Sequence, residues 1–248
     1  MKIKLQMPTI LECPEKAHVG VGIFYNFVSF FLLPFFAIFL IADFPEPHFV
    51  SWFEAAFHII NLVVCIGLFR EFLWDSVNMF FLQASAHFAV IWRSILACCI
   101  IALVILFNPL LMDFIGPIAL PVTEGQILVL GCDMLYYNPI MGFLCGVIIS
   151  PIVTACLFYA IGFAPAFNKL PWLGYVVVTA LLAFFHIGND STGFDMLTEI
   201  VLFAAQLPFH LIACWSYRRS DNICVPIITL AATNLLSSVV LFIMTLFM

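Results

Sequence analysis

Charge is what this sequence has least of. Only 9% of its residues are charged, with eight Lys and Arg against fourteen Asp and Glu in 248 positions. A soluble domain needs roughly a quarter of its residues charged to keep a solvated surface, so that class is excluded. The chain also lacks a C-x-x-C pair, an internal repeat, a low-complexity tract and any basic cluster suited to nucleic acid. Its nine cysteines are odd in number and mostly sit in apolar segments (Cys65, Cys98, Cys99, Cys145, Cys156, Cys214), where a thiol behaves as a small hydrophobe.

What is present is apolar: 65% hydrophobic residues and a mean hydropathy of +1.19. The continuous runs are too long for the alternating strands of a membrane barrel, so the reading is all-α. A helix needs about twenty apolar residues to cross the hydrocarbon core. Seven segments qualify: 21–42, 50–69, 88–107, 140–163, 171–187, 197–216 and 223–247. The first reads as a retained anchor, because Glu12, Glu15 and Lys16 separate Lys2 and Lys4 from it and no small-residue cleavage site follows.

Seven spans place every basic residue on one side. Lys2, Lys4, Lys16, Arg70, Arg93, Lys169, Arg218 and Arg219 fall together, while the connections 43–49, 108–139 and 188–196 carry only acidic charge. The positive-inside rule then puts the N-terminus in the cytoplasm and the C-terminus outside. The stretch 72–86 is aromatic-rich but holds Asp75, Asn78 and Gln83, which favours a short helix in the membrane interface. Asn138-Pro139 reads as a helix start after a long connection broken by Pro and Gly. The expected organisation is one integral membrane domain over 1–248, with N-terminal spans and a loop in 1–137 and a core in 138–248.

Ionisable groups inside a bilayer cost at least ~2.5–3.5 kcal/mol each, so those present are functional candidates. Glu54, His58 and Asn61 share a helical face, as do Gln206 and His210, with Glu199 nearer the end of that span. They read either as half of a proton or metal site or as polar stripes bonding neighbouring helices. A zinc site from His58, His186 and His210 lacks any supporting motif. Asn189-Asp190-Ser191 fits a glycosylation sequon.

Four stretches in order, YYNPIMGFLCGVIISPIVTACLFYAI, LLAFFHIG, LPFHLIACWSYRRSDNICVPI and ITLAATNLLSSVV, resemble the second half of the CPBP family. These are the intramembrane CAAX-processing and bacteriocin-processing proteases, also called Abi. The segment CIGLFREFLWDSVNMFF is similar to one that precedes the core in bacterial members, which implies a bacterial plasma membrane. The family's motifs are Glu-Glu-x-x-x-Arg after an apolar-Pro-apolar-apolar lead, Phe-x-x-x-His, and His-x-x-x-Asn. After Pro151-Ile152-Val153, the glutamate positions hold Thr154 and Ala155 and the arginine position holds Tyr159. The second motif is Leu182-x-x-x-His186, and the third is Leu230-x-x-x-Asn234.

The resemblance therefore implies a CPBP-type helical bundle whose core lies in the C-terminal half, with His186 and Asn234 as retained positions. Thr154, Ala155, Tyr159 and Leu230 are degenerate ones. Losing the acid and the cation together avoids leaving an unpaired buried charge. Thr154 cannot serve as a base near neutral pH, and Leu230 has no donor atom. The expectation is a protease-like protein without peptidase activity. It keeps a neutral cavity of Thr154, Tyr159, His186 and Asn234 and binds a membrane protein or a lipidated or secreted peptide. No cofactor is expected, and a divalent metal such as zinc only if the chain is active. Membrane lipids are expected partners, and nucleic acid is not. The alternatives are an active endopeptidase with relocated groups, such as Glu54 with His58 or Glu199 with His210, and a small transporter.

Overall fold

The computed structural model describes residues 10–29, 47–106, 138–187 and 196–247. Seven helices occupy them, with no strand among the described residues: α1 (Lys16–Phe27), α2 (Pro47–Leu82), α3 (Ala84–Leu106), α4, α5 (Pro171–Ile187), α6 (Met196–Ser220) and α7 (Cys224–Phe247). Helix α4 runs without a break through Pro139–Phe143, Leu144–Ile149, Ser150–Thr154, Ala155–Phe163 and Ala164–Lys169. This is an integral membrane helical bundle. Three candidate spans are long and apolar enough to cross a bilayer, Ala55–Leu82, Ala84–Val104 and Ile140–Lys169, and the apolar stretches of α5 and α7 are shorter. The described residues therefore do not reproduce all seven expected spans.

The turns follow from local chemistry. Asn138 precedes α4 and Pro139 occupies its first turn, where a missing N–H costs nothing. Leu170 is extended (φ −147°, ψ 124°) because the next residue is Pro171, so α4 stops at Lys169 and α5 starts one residue later. Between α6 and α7, Asp221 takes a left-handed φ of 50°, a conformation that Asn and Asp tolerate better than most. Its N–H bonds the Tyr217 carbonyl at 2.8 Å. Asn222 then caps α7, accepting from the Cys224 N–H at 2.9 Å, while its own amide donates to the Ser76 carbonyl at 2.7 Å and ties the turn to α2.

Two boundaries differ from the sequence reading. The stretch 72–86 has no helix of its own. Helix α2 continues through it to Leu82 after a kink at Phe69 (φ −115°, ψ 17°), and α3 begins at Ala84. Trp74, Phe81, Phe88 and Trp92 are exposed around that hairpin, the amphipathic pattern found where a membrane meets water. The expected span 140–163 extends to Lys169, because the helix continues through Ala164–Lys169 past Pro165. Most of the connections 43–49, 108–139 and 188–196, including the sequon, lie outside the described residues.

Helix α4 is the axis of the bundle. It packs on α1, α2, α5, α6 and α7. Of its most apolar stretch 44% is buried, against 17% for α2. The main apolar cluster surrounds Phe158, Tyr159, Phe163, Phe167 and Tyr217 and also takes in Leu11, from the segment before α1.

Candidate functional site

Two prolines shape the helix that carries the motif. A proline ring clashes with the carbonyl four residues back. For Pro151 and Pro165 those carbonyls belong to Val147 and Ile161. Both lie in stretches wound with i→i+5 bonding, Leu144–Ile149 and Ala155–Phe163. The wider π turns make room for the rings. They also present backbone carbonyls to side chains on other helices. Asn234 of α7 donates to the Gly146 carbonyl at 2.8 Å, and Asn26 of α1 donates to the Leu157 carbonyl at 3.0 Å.

Two of the degenerate positions, Ala155 and Tyr159, are sealed into the second π segment. Ala155 and Tyr159 are fully buried, Leu230 is 6% exposed, and Thr154 is half-buried at the junction. The Tyr159 hydroxyl is hydrogen-bonded to His210 Nδ1 of α6 at 2.7 Å, with the rings edge to face at a centroid distance of 6.3 Å. A phenol and an imidazole so joined satisfy each other without placing a charge in the apolar interior, where an unpaired polar group is costly. The arginine position of the motif thus holds a phenol hydrogen-bonded to an imidazole.

The retained positions lie on different helices. His186 lies in the last turn of α5, with its side chain outside the described residues, as are those of Glu54 and Glu199. Asn234 is on α7. The main neighbours of α5 are α4 and α6, whereas α7 packs on α2, α3, α4 and α6. Asn234 is half-buried, and its amide stitches α7 to α4.

The other polar stripe resolves partly. Asn61 is 3% exposed, and its Oδ1 accepts from Tyr25 Oη at 2.6 Å and Ser29 Oγ at 2.8 Å. Its Nδ2 donates to the Phe57 carbonyl at 3.0 Å. Asn61 is a link between α1 and α2. His58 and His210 lie on α2 and α6, which are not principal neighbours.

Among the described motif positions, few atoms could ligate a divalent metal. Ala155 and Leu230 have no ligand atom, the Tyr159 hydroxyl faces His210, and the Asn234 amide faces a carbonyl. Among the described residues no three His, Cys, Asp or Glu side chains converge on one point.

A groove of about 530 Å³ opens elsewhere on α4, between α1 and α5. Ile23, Leu157, Ile161 and Val177 give it apolar walls, and Asn26 and Lys169 also line it. The Asn26 Oδ1 is buried without a hydrogen-bond partner. Thr154, Tyr159 and Asn234 do not line this groove, so the space beside the motif helix is not the neutral cavity drawn from the motif positions.

Residues 136–236 match the family model described as Rce1-like, type II CAAX prenyl endopeptidase, a CPBP family. This segment is Rce1-like. No curated protein and no solved structure matches the chain. The Rce1-like segment begins just before α4 and ends in α7, so it contains the π-wound motif helix, the Tyr159–His210 pair and the Asn234 contact. Residues 136–236 are accordingly similar to a CPBP-type protease and lie within an integral membrane protein.

Sequence reasoning named Tyr159 and His210 separately and did not join them. Each is a polar ring in an apolar run that must find a partner, which was the available signal. Asn26, Asn168, Tyr217 and Asp221 were not singled out, although each is a hydrogen-bonding residue at or near a span.

Proposed function

We propose that this chain holds a lipidated or membrane-embedded peptide without cleaving it. The observation that carries the reading is the Tyr159–His210 hydrogen bond beside a fully buried Ala155. Water activation needs a base within hydrogen-bond reach of the water. At these positions there is a methyl group and a phenol already engaged. The Rce1-like relationship names prenylated CAAX peptides as the substrate class of the matched family. The groove between α1, α4 and α5 supports retention of that class. Its apolar walls suit a lipid chain, and Lys169 suits a peptide carboxylate. Roles in peptide maturation, bacteriocin immunity or regulation of a membrane protein follow by family analogy.

The test compares protein termini across cells carrying the intact gene, a deletion, or a His186→Ala form. It is paired with crosslinking of a photoreactive farnesylated peptide to the purified chain. The expected result is identical termini in all three strains and crosslinks at Leu157 or Val177 that Ile161→Trp abolishes. Termini that depend on the intact gene support the rival reading, an active endopeptidase with relocated groups, and end the present one. Absence of any crosslink ends the binding half of the proposal.

A further inference from the structure

The segment before α1 is held by side chains in the way a peptide ligand is. Residues 10–15 are not helical, yet Leu11 is 1% exposed and joins the main apolar cluster. The Leu11 N–H donates to Asn168 Oδ1 at 2.7 Å, and Asn168 Nδ2 donates back to the Leu11 carbonyl at 2.9 Å. One amide thereby reads both backbone groups of one residue, as a neighbouring strand would. The Glu12 N–H donates to Asp221 Oδ1 at 2.8 Å, and the Tyr217 hydroxyl donates to the Glu12 carbonyl. Four backbone groups of two consecutive residues are thus satisfied by three side chains, from the end of α4, the end of α6 and the α6–α7 turn.

The side chains in this segment contribute selectively. Ile10 is 69% exposed, and Glu12 and Cys13 point outward as well, whereas Pro14 is buried. Only Leu11 is read as a side chain in the two-residue stretch that the clamp holds. A site built this way recognises a backbone, a leucine and a proline three residues on, and it has no means of requiring that they belong to its own chain.

We propose that this end of the bundle is an exchangeable binding site for a leucine-bearing peptide in non-helical conformation, occupied in cis by residues 10–12. The site is separate from the groove and does not rest on the reading of the motif positions. When the internal strap is weakened, a peptide of the same chemistry takes its place on Asn168, Tyr217 and Asp221.

The experiment uses the full chain in lipid nanodiscs and a fluorescent synthetic peptide, Met7–Lys16 (MPTILECPEK). Leu11→Asp removes the cis anchor. The expected result is saturable peptide binding at least ten-fold tighter than to the unaltered chain, and lost again when Asn168→Ala is added. No binding to Leu11→Asp, or binding indifferent to Asn168→Ala, overturns the proposal. Should Leu11→Asp fail to fold, amide exchange on the unaltered chain decides. Leu11 and Glu12 amides that exchange at least a hundred-fold faster than Tyr217 and Val178 support an exchangeable strap. Equal protection makes it a permanent part of the core and overturns the proposal.

Discussion

Tyr159 and Tyr217 are both fully buried, yet their hydroxyls serve opposite ends of the molecule's polar economy. Tyr159 sits in the π segment of the motif helix and bonds another side chain, His210, with apolar neighbours around it. Tyr217 sits one turn from the end of α6 and bonds the backbone of a segment that begins outside the helices. The motif region holds a phenol and an imidazole paired with each other. The helix ends keep open-ended polar groups, Asn168 and Asp221, whose partners are main-chain atoms. The two regions therefore differ in kind: a side-chain pair closed on itself at mid-helix, and side chains that hold main-chain atoms at the helix ends.

The comparison breaks most sharply if charge returns to the motif helix. Ala155→Glu places a carboxylate at a site with no exposed surface. An unpaired buried charge costs about 3–5 kcal/mol, so the variant should lose most of its folded yield and unfold at markedly lower temperature. Adding Tyr159→Arg, which restores the family's spacing of acid and cation, should recover part of that loss. Thermal unfolding of the two variants in the same detergent measures both effects. An Ala155→Glu protein as stable as the parent would mean that water reaches position 155, and the sealed reading would be wrong.

A smaller effect sharpens the difference between the two tyrosines. Tyr159→Phe removes the hydroxyl that bonds His210 Nδ1 at a fully buried position, at a cost of about 1–3 kcal/mol. Tyr217→Phe leaves the Glu12 carbonyl beside an exposed residue, where water can replace the hydroxyl. An ordinary loss of about 0.5–1.5 kcal/mol is expected there. Chemical unfolding of the pair should rank Tyr159→Phe as the more damaging. The reverse order would show that the strap holds the bundle together more than the motif pair does.

Much of the architecture was legible because prolines and polar caps are local signals. Helix α5 was placed at 171–187 by its apolar run, and Asn138-Pro139 marked the start of α4. The kinked continuation of α2 past Phe69 was not legible, since Asp75 and Asn78 are exposed and read as interfacial whether or not the helix continues. The site was half legible. The motif spacing located Thr154, Ala155 and Tyr159. Their burial and the choice of His210 as partner depend on how α6 packs against α4, and no sequence period encodes that. The strap was invisible for a different reason. Residues 10–15 have no hydrophobic repeat, and their backbone is satisfied by side chains more than 150 positions away.

The smallest expected effect isolates one member of the clamp. Asp221 lies in the turn after α6, half-buried, and burial is the main reason its carboxyl is pushed up to about 6 from 3.8. The hydrogen bond from the Glu12 N–H pulls the other way, and the Glu12 charge pushes it further up. A carboxyl whose folded pKa is raised binds its proton more tightly when folded. Its favourable contribution is therefore present in full below about pH 4 and is lost as pH climbs through 6. Asp221→Asn keeps an oxygen for the Glu12 N–H, tolerates the left-handed backbone and cannot ionise. The variant should match the parent near pH 4 and exceed it at pH 8 by a margin that water screening keeps under about 1 kcal/mol. Thermal midpoints at the two pH values test the sign. A variant less stable than the parent at pH 8 would mean that the charged carboxylate gains more from the strap's N–H than it loses by burial, and the strap would then be held by charge rather than by shape.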